Sequence, residues 1–205
     1  MVLSHPYGVD EALDSVLFAM GEACRAGGRS DLAIAINETG WLTWDTATGW
    51  KNYGWLVSEE EQARNIVKLH VQSLAHRVSF VAVLNWNDFG GKSDQARNMG
   101  LVRMDGSPKP SYHAYWFMTR TIGRRRVDEW TYDRCGARVY RFTGDPPLWV
   151  VRNAIREAAV TVDTGATEVF VLDICGVKRT VLPAKGKVTV RAGDGVRPPG
   201  VTNST

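Results

Sequence analysis

The sequence predicts an α/β unit followed by a small antiparallel β domain, and three observations carry that prediction. Two apolar runs, residues 32–37 and 79–84, read as strands of the kind buried in a parallel sheet. Amphipathic helical patterns precede, separate and follow them, so strands and helices alternate. Beyond Arg126 the helical period gives way to short β-branched runs divided by glycine turns.

Residues 2–7 read as the end of a strand, broken by Pro6 and followed by Gly8. Leu13, Val16, Leu17 and Met20 then repeat at helical spacing, which predicts a helix to about Ala26, stopped by Gly27-Gly28. The strand at 32–37 completes a strand, helix, strand unit, for which parallel pairing is expected. Residues 41–57 have no period, yet Trp41, Trp44, Trp50, Tyr53 and Trp55 crowd a loop whose length implies a function.

Ser58-Glu59-Glu60-Glu61 forms a capping box. The helix it opens carries Ala63, Ile66, Val67, His70, Val71 and Leu74 on one face and ends near His76. The strand at 79–84 is expected to be covered on both faces and ends in Asn85-Trp86-Asn87-Asp88. After a Gly-rich polar loop, Pro108-Lys109-Pro110 leads into a last helix that finishes at Gly123. Tyr115 and Trp116 fall at core spacing on it, and Lys109 reads as a turn residue.

The second part reads as strands at 139–142, 148–152, 159–162, 168–173, 179–182 and 187–191, with turns at Thr164-Gly165 and Lys185-Gly186. This pattern predicts an antiparallel β-sandwich. The expected domains are 1–123 and 124–205, with Arg124-Arg125-Arg126 a solvated junction and the tail from Gly193 frayed.

Composition narrows the function classes. With 205 residues and 44% hydrophobic content the chain can bury a core. A net charge of +3 from dispersed basic residues gives no nucleic-acid footprint. Cys24, Cys135 and Cys175 are widely spaced and odd in number, which implies neither a disulfide framework nor a zinc site. No run approaches the roughly 18 apolar residues of a membrane span, and residues 1–7 lack a secretory pattern, so a soluble chain of undetermined address is expected. His70, His76 and His113 lack metal-ligand spacing, and no phosphate loop, nucleotide fingerprint or Ser/His/Asp set is present. No cofactor or metal is expected.

The chemistry concentrates at the ends of the two apolar strands. Ala33-Ile34-Ala35-Ile36-Asn37-Glu38-Thr39-Gly40-Trp41 delivers one carboxylate into an aromatic-rich loop, the way a barrel enzyme presents a glycosidic nucleophile. His5 and Tyr7 end the preceding strand, where a tyrosine hydroxyl would hydrogen-bond Glu38 and favour its ionised form. Trp86 is suited to stacking a sugar ring, and alternation puts Asn85 on the opposite face, so one of the two faces the pocket. Trp41 and Trp44 are further candidate sugar contacts.

Five motifs in order, His5-Pro6-Tyr7, Asn37-Glu38-Thr39-Gly40-Trp41, the capped helix with Gln62-Ala63-Arg64, Asn98-Met99-Gly100-Leu101-Val102 and Pro108-Lys109-Pro110-Ser111-Tyr112, together resemble the last quarter to third of a retaining glycoside hydrolase barrel. The similarity covers residues 1 to about 122 and is nearest to family 39 (xylosidase and iduronidase type) and family 5 (cellulase type). It implies a partial (β/α)8 barrel of about the last three strand-helix units, followed by the small β-sandwich common after such barrels. It also implies Glu38 as nucleophile at the end of strand seven, Tyr7 and His5 as the strand-six pair, and Trp86 as the strand-eight platform. A second register makes Asn37-Glu38 the acid/base pair of strand four. That register calls for four further strand-helix units, and one follows before the β domain.

The resemblance also implies what this chain lacks. Strands one to five and the general acid/base have no counterpart here, and neither Asp45 nor Asp88 stands at a matching position. With Met1 inside a strand, the expectation is a truncated or split reading of a longer enzyme, whose partners would be a carbohydrate substrate and the missing N-terminal half of the barrel.

Overall fold

The computed structural model describes residues 1–7, 12–43, 56–89, 98–132, 136–153 and 157–193. They fall into two compact units, Met1–Val127 and Asp128–Thr205. No helix among them is long and apolar enough to cross a membrane.

The first unit is mixed α/β. Strands β1 (Val2–Ser4), β2 (Ile34–Thr39) and β5 (Val81–Val83) form a parallel sheet in the order β1-β2-β5. Helix α1 (Leu13–Ala26) joins the first two, and α2 (Glu59–Ala75) lies between the second and third. Helix α3 (Pro110–Ile122) follows and packs on α2. Two short strands, β3 (Leu42–Thr43) and β4 (Leu56–Val57), pair in parallel after β2.

One face of the sheet is covered. Leu13 and Leu17 of α1, Ile36 of β2, Ile66 and Leu69 of α2 and Leu101 form the core with Trp41 and Val78, and Ile34, Val81 and Val83 pack against it. On the other face Leu3 is 54% exposed and Ala82 is exposed, while Ala35 of the middle strand is fully buried. Covering of β5 on both faces, expected from its apolar run, is therefore not found. Among the described residues β1 and β5 are edges, and the strands form an open sheet rather than a closed barrel.

The helix signals act as the residues dictate. The Ser58 hydroxyl accepts from the Glu61 amide at 3.1 Å, and the Glu61 carboxylate accepts from the Ser58 amide at 3.0 Å. The buried face of α2 differs from the apolar stripe, because Gln62, Asn65, Gln72 and Ser73 are buried with Ala63, Ile66 and Leu69 while Leu74 is exposed. Gln62 is hydrogen-bonded there, whereas both side-chain amide atoms of Gln72 and the Ser73 hydroxyl have no partner among the described residues. On α3, Tyr115 packs against the core as expected, but Trp116 is 51% exposed with Arg120 over its ring, so it is not a core residue.

In the second unit β6 (Val127–Tyr132), β7 (Ala137–Phe142) and β8 (Leu148–Asn153) make one sheet, and β9 (Ala158–Asp163) pairs antiparallel with β12 (Lys187–Ala192). Strands β10 (Val169–Leu172) and β11 (Lys178–Val181) form a separate antiparallel hairpin. Its turn is tied by Asp173, whose carboxylate accepts from the amides of Cys175 and Val177, both at 2.9 Å. Strand β6 escapes the sequence reading. Its alternation of Trp130 and Tyr132 with Glu129 and Thr131 is the available signal, overshadowed by the adjacent arginines.

Candidate functional site

The parallel order brings the C-terminal ends of β1, β2 and β5 to one end of the sheet. Two bonds clamp them there. The Thr39 hydroxyl donates to the Pro6 carbonyl at 3.1 Å, and the Leu84 amide donates to the Thr39 carbonyl at 2.8 Å. Gly40 permits this closeness: a Cβ there would sit 2.5 Å from the Leu84 oxygen and 2.8 Å from the Met99 methyl carbon. A side chain at 40 would wedge β2 away from the segment after β5.

Glu38 stands at this end on the middle strand. The Tyr7 hydroxyl, from the end of β1, donates to Glu38 Oε1, and His5 Nδ1 lies 3.9 Å from Oε2. The contact foreseen between Tyr7 and Glu38 is thus formed. Both Glu38 and His5 keep more than a third of their side-chain surface in solvent, at 38% and 47%. Burial raises the Tyr7 phenol well above its ordinary pKa, helped by the hydrogen bond to Glu38 and by the carboxylate's charge. Tyr7 therefore stays protonated and acts as a neutral donor. A carboxylate oriented by a neutral donor, with solvent still reaching it, keeps the lone pairs a nucleophile needs.

The other sequence-predicted residues separate. Trp86 is 62% exposed and makes a T-shaped ring contact with Tyr112 at 5.7 Å between centroids. Its carbonyl accepts from the Leu101 and Val102 amides, which fixes the backbone that carries the indole. Asn85 is partly buried, and its Nδ2 has no hydrogen-bond partner among the described residues; the same holds for Asn37 Oδ1 on β2. Of the Asn85 and Trp86 pair, the tryptophan is the open one. Trp41 departs from its expected role: at 2% exposure its indole is part of the core and is covered from any ligand. Trp44 lies outside the described residues, as do Asp45, Trp50, Tyr53 and Trp55.

Two buried polar connectors behind these loops were not foreseen. Lys109, only 1% exposed, donates to Thr43 Oγ1 at 2.7 Å and pairs with both Asp88 oxygens at 2.9 and 2.8 Å. Asp88 also accepts from the Gly100 amide at 2.8 Å. Its carboxylate is thereby consumed by structure, which removes it as a candidate acid, and Lys109 is a buried cation rather than a turn residue. Gln62 Nε2 lies within hydrogen-bond reach of the Trp41, Met99 and Gly100 carbonyls, at 3.0, 3.2 and 3.4 Å, and its Oε1 accepts from Ser111 at 2.7 Å. One signal for Lys109 was present: a cation at the start of α3 opposes the helix dipole unless its charge is directed elsewhere.

No protein-family model and no curated protein matches this chain. Solved structures do. A family 39 glycoside hydrolase from the gut symbiont Bacteroides cellulosilyticus WH2 superposes with a TM-score of 0.69 at 19% identity, over 87% of this chain and 36% of its own. The GH51 arabinofuranosidase from Xanthomonas axonopodis pv. citri superposes with a TM-score of 0.52 at 13% identity, over 93% of this chain and 50% of its own. The fold is glycoside hydrolase-like. At these identities the likeness speaks for the fold, and the chain spans about a third to a half of the length of these two proteins.

Proposed function

We propose that this chain is the C-terminal part of a retaining glycoside hydrolase, a partial (β/α)8 barrel with a following β-sandwich, that acts on β-linked glycosides. The supporting observation is the Glu38 carboxylate at the C-terminal end of the middle parallel strand, held by the Tyr7 hydroxyl with His5 beside it. Glu38 attacks the anomeric carbon as the glycosidic C–O bond breaks, giving a covalent glycosyl ester. Water then cleaves that ester and regenerates the carboxylate. Tyr7 orients the nucleophile, and Trp86 offers an indole face to a sugar ring. A substrate carbohydrate and the remaining barrel strands are the partners this reading requires, and the reaction calls for no cofactor.

A retaining mechanism also needs a second carboxyl about 5 to 5.5 Å from the first. The partners of Glu38 among the described residues are Tyr7 and His5, and Asp88 is committed to Lys109. That observation favours a second reading for the chain by itself: a carbohydrate-binding fragment in which Glu38 only hydrogen-bonds sugar hydroxyls. Aryl glycosides with activated leaving groups separate the two, because they need little acid assistance. Turnover that Glu38→Gln abolishes supports the hydrolase; sugar binding without turnover supports the binding fragment.

A further inference from the structure

In the unit that begins at Asp128, the two facing β layers are closed at one end by Ala137, Val160 and Ala192, with Val139 and Val151 packed on them. Toward the other end the inward register positions change character. Two residues beyond Val139 on β7 stands Arg141, two before Val151 on β8 stands Trp149, and these two are direct cross-strand partners. Residues two apart share a face, so Arg141 and Trp149 project on the side that the core occupies further along. Trp130 of β6 stacks on Tyr140 on the opposite side, which puts Glu129 with Arg141 and Trp149. Inward positions of packed β layers are ordinarily apolar. Here the β7–β8 layer carries Arg141 and Trp149 instead, and a cleft of about 500 Å³ opens, also lined by the buried Val162 of β9 and by Asp163 and Gly165.

We propose that this cleft is a binding site for a neutral oligosaccharide, separate from Glu38. Its volume falls within the roughly 300–1,000 Å³ of small-ligand sites. Its chemistry selects the class. Trp149 supplies an apolar ring face, Glu129 and Asp163 supply acceptors, and Arg141, paired with Asp128 at 3.3 Å, supplies donors. A purely apolar ligand would strip water from these charges. An anion would meet Glu129 and Asp163, and Arg141 is already paired with Asp128. A sugar offers what remains, a C–H face for the indole and hydroxyls that both donate and accept. Thr161, whose hydroxyl bonds that of Thr189 at 2.8 Å, adds a further neutral polar group to the lining.

The test uses the full chain in affinity gel electrophoresis against soluble xylan, mixed-linkage β-glucan, arabinan and galactomannan. At least one polysaccharide is expected to retard it, and Trp149→Ala to weaken that retention roughly tenfold or more while Trp149→Phe keeps most of it. Glu129→Ala and Asp163→Ala, at exposed positions where truncation is tolerated, are expected to weaken it as well, which keeps the test decisive if Trp149→Ala fails to fold. Val177→Ser, at an exposed position outside the cleft lining, should leave it unchanged. Retention by none of the four overturns the proposal, as does retention that Glu38→Gln removes and the cleft variants do not. Since the Glu38 reading is tested by turnover and this one by retention, either can fail without the other.

Discussion

Two carboxylates follow neighbouring parallel strands and meet opposite fates. Asp88, after β5, is 6% exposed and spends both oxygens on Lys109 and the Gly100 amide. Glu38, at the end of β2, keeps 38% of its side chain in solvent and has a neutral hydroxyl as its hydrogen-bond donor. A buried charge must be paired and fully hydrogen-bonded, so Asp88 is fixed and chemically spent. A half-open carboxylate with a single orienting donor keeps lone pairs free for the nucleophilic role proposed for it. The charge is shared, whereas burial and the number of donors differ.

The comparison breaks most visibly at Lys109. Lys109→Met leaves Asp88 buried without its cation and is expected to cost about 3–5 kcal/mol in chemical denaturation. Glu38→Gln removes one partly exposed hydrogen-bonded charge and should cost less than about 1.5 kcal/mol. Equal losses from the two variants would erase the distinction. Next comes Gly100→Ala, whose Cβ would lie 2.3 Å from the backbone of Asn87 and Asp88. The strand-end loop must shift to admit it, at about 1–3 kcal/mol, with Trp86 displaced and its fluorescence changed. Gln62→Leu sharpens the point from the α2 side. It strips the carbonyls of Trp41, Met99 and Gly100 of their side-chain donor and is expected to cost about 1–3 kcal/mol, while Ser58→Ala, which loses only the cap, costs about 1 kcal/mol.

The smallest effect is on pH dependence. Burial lowers the His70 pKa below its ordinary 6.5, and its Nδ1 donates to the Ile66 carbonyl at 2.8 Å. The unfolded chain then binds a proton that the folded chain resists. Stability is full above about pH 6.5 and falls as pH drops below it. His70→Gln should flatten that acid-side slope in melts taken between pH 7 and 5; an unchanged slope would show that His70 does not carry it.

What the sequence disclosed divides along the same line. The capping box at Ser58, the parallel strand ending in Glu38 and the Tyr7 contact were legible, because each rests on local spacing or on strand order. The Lys109 pair with Asp88 was not. Its members are 21 positions apart, and a lysine between two prolines looks like a turn until the fold brings a carboxylate beneath it. Trp41 and Trp86 posed a similar problem. Both follow strands, yet Trp41 packs among Leu13, Ile36 and Ile66 while Trp86 stays open, a choice made by tertiary packing rather than alternation. The exposure of Ala82 on the second face of β5 was equally hidden, since an apolar run does not state what will cover it.

We propose Glu38 as the reactive carboxylate. Incubation with a panel of activated 2-deoxy-2-fluoro glycosides, which form the glycosyl ester but slow its hydrolysis, followed by peptide mass mapping, tests it directly. One sugar adduct is expected on the peptide carrying Glu38, absent in Glu38→Gln. An adduct on any other carboxylate, or turnover of activated aryl glycosides that survives Glu38→Gln, would contradict it.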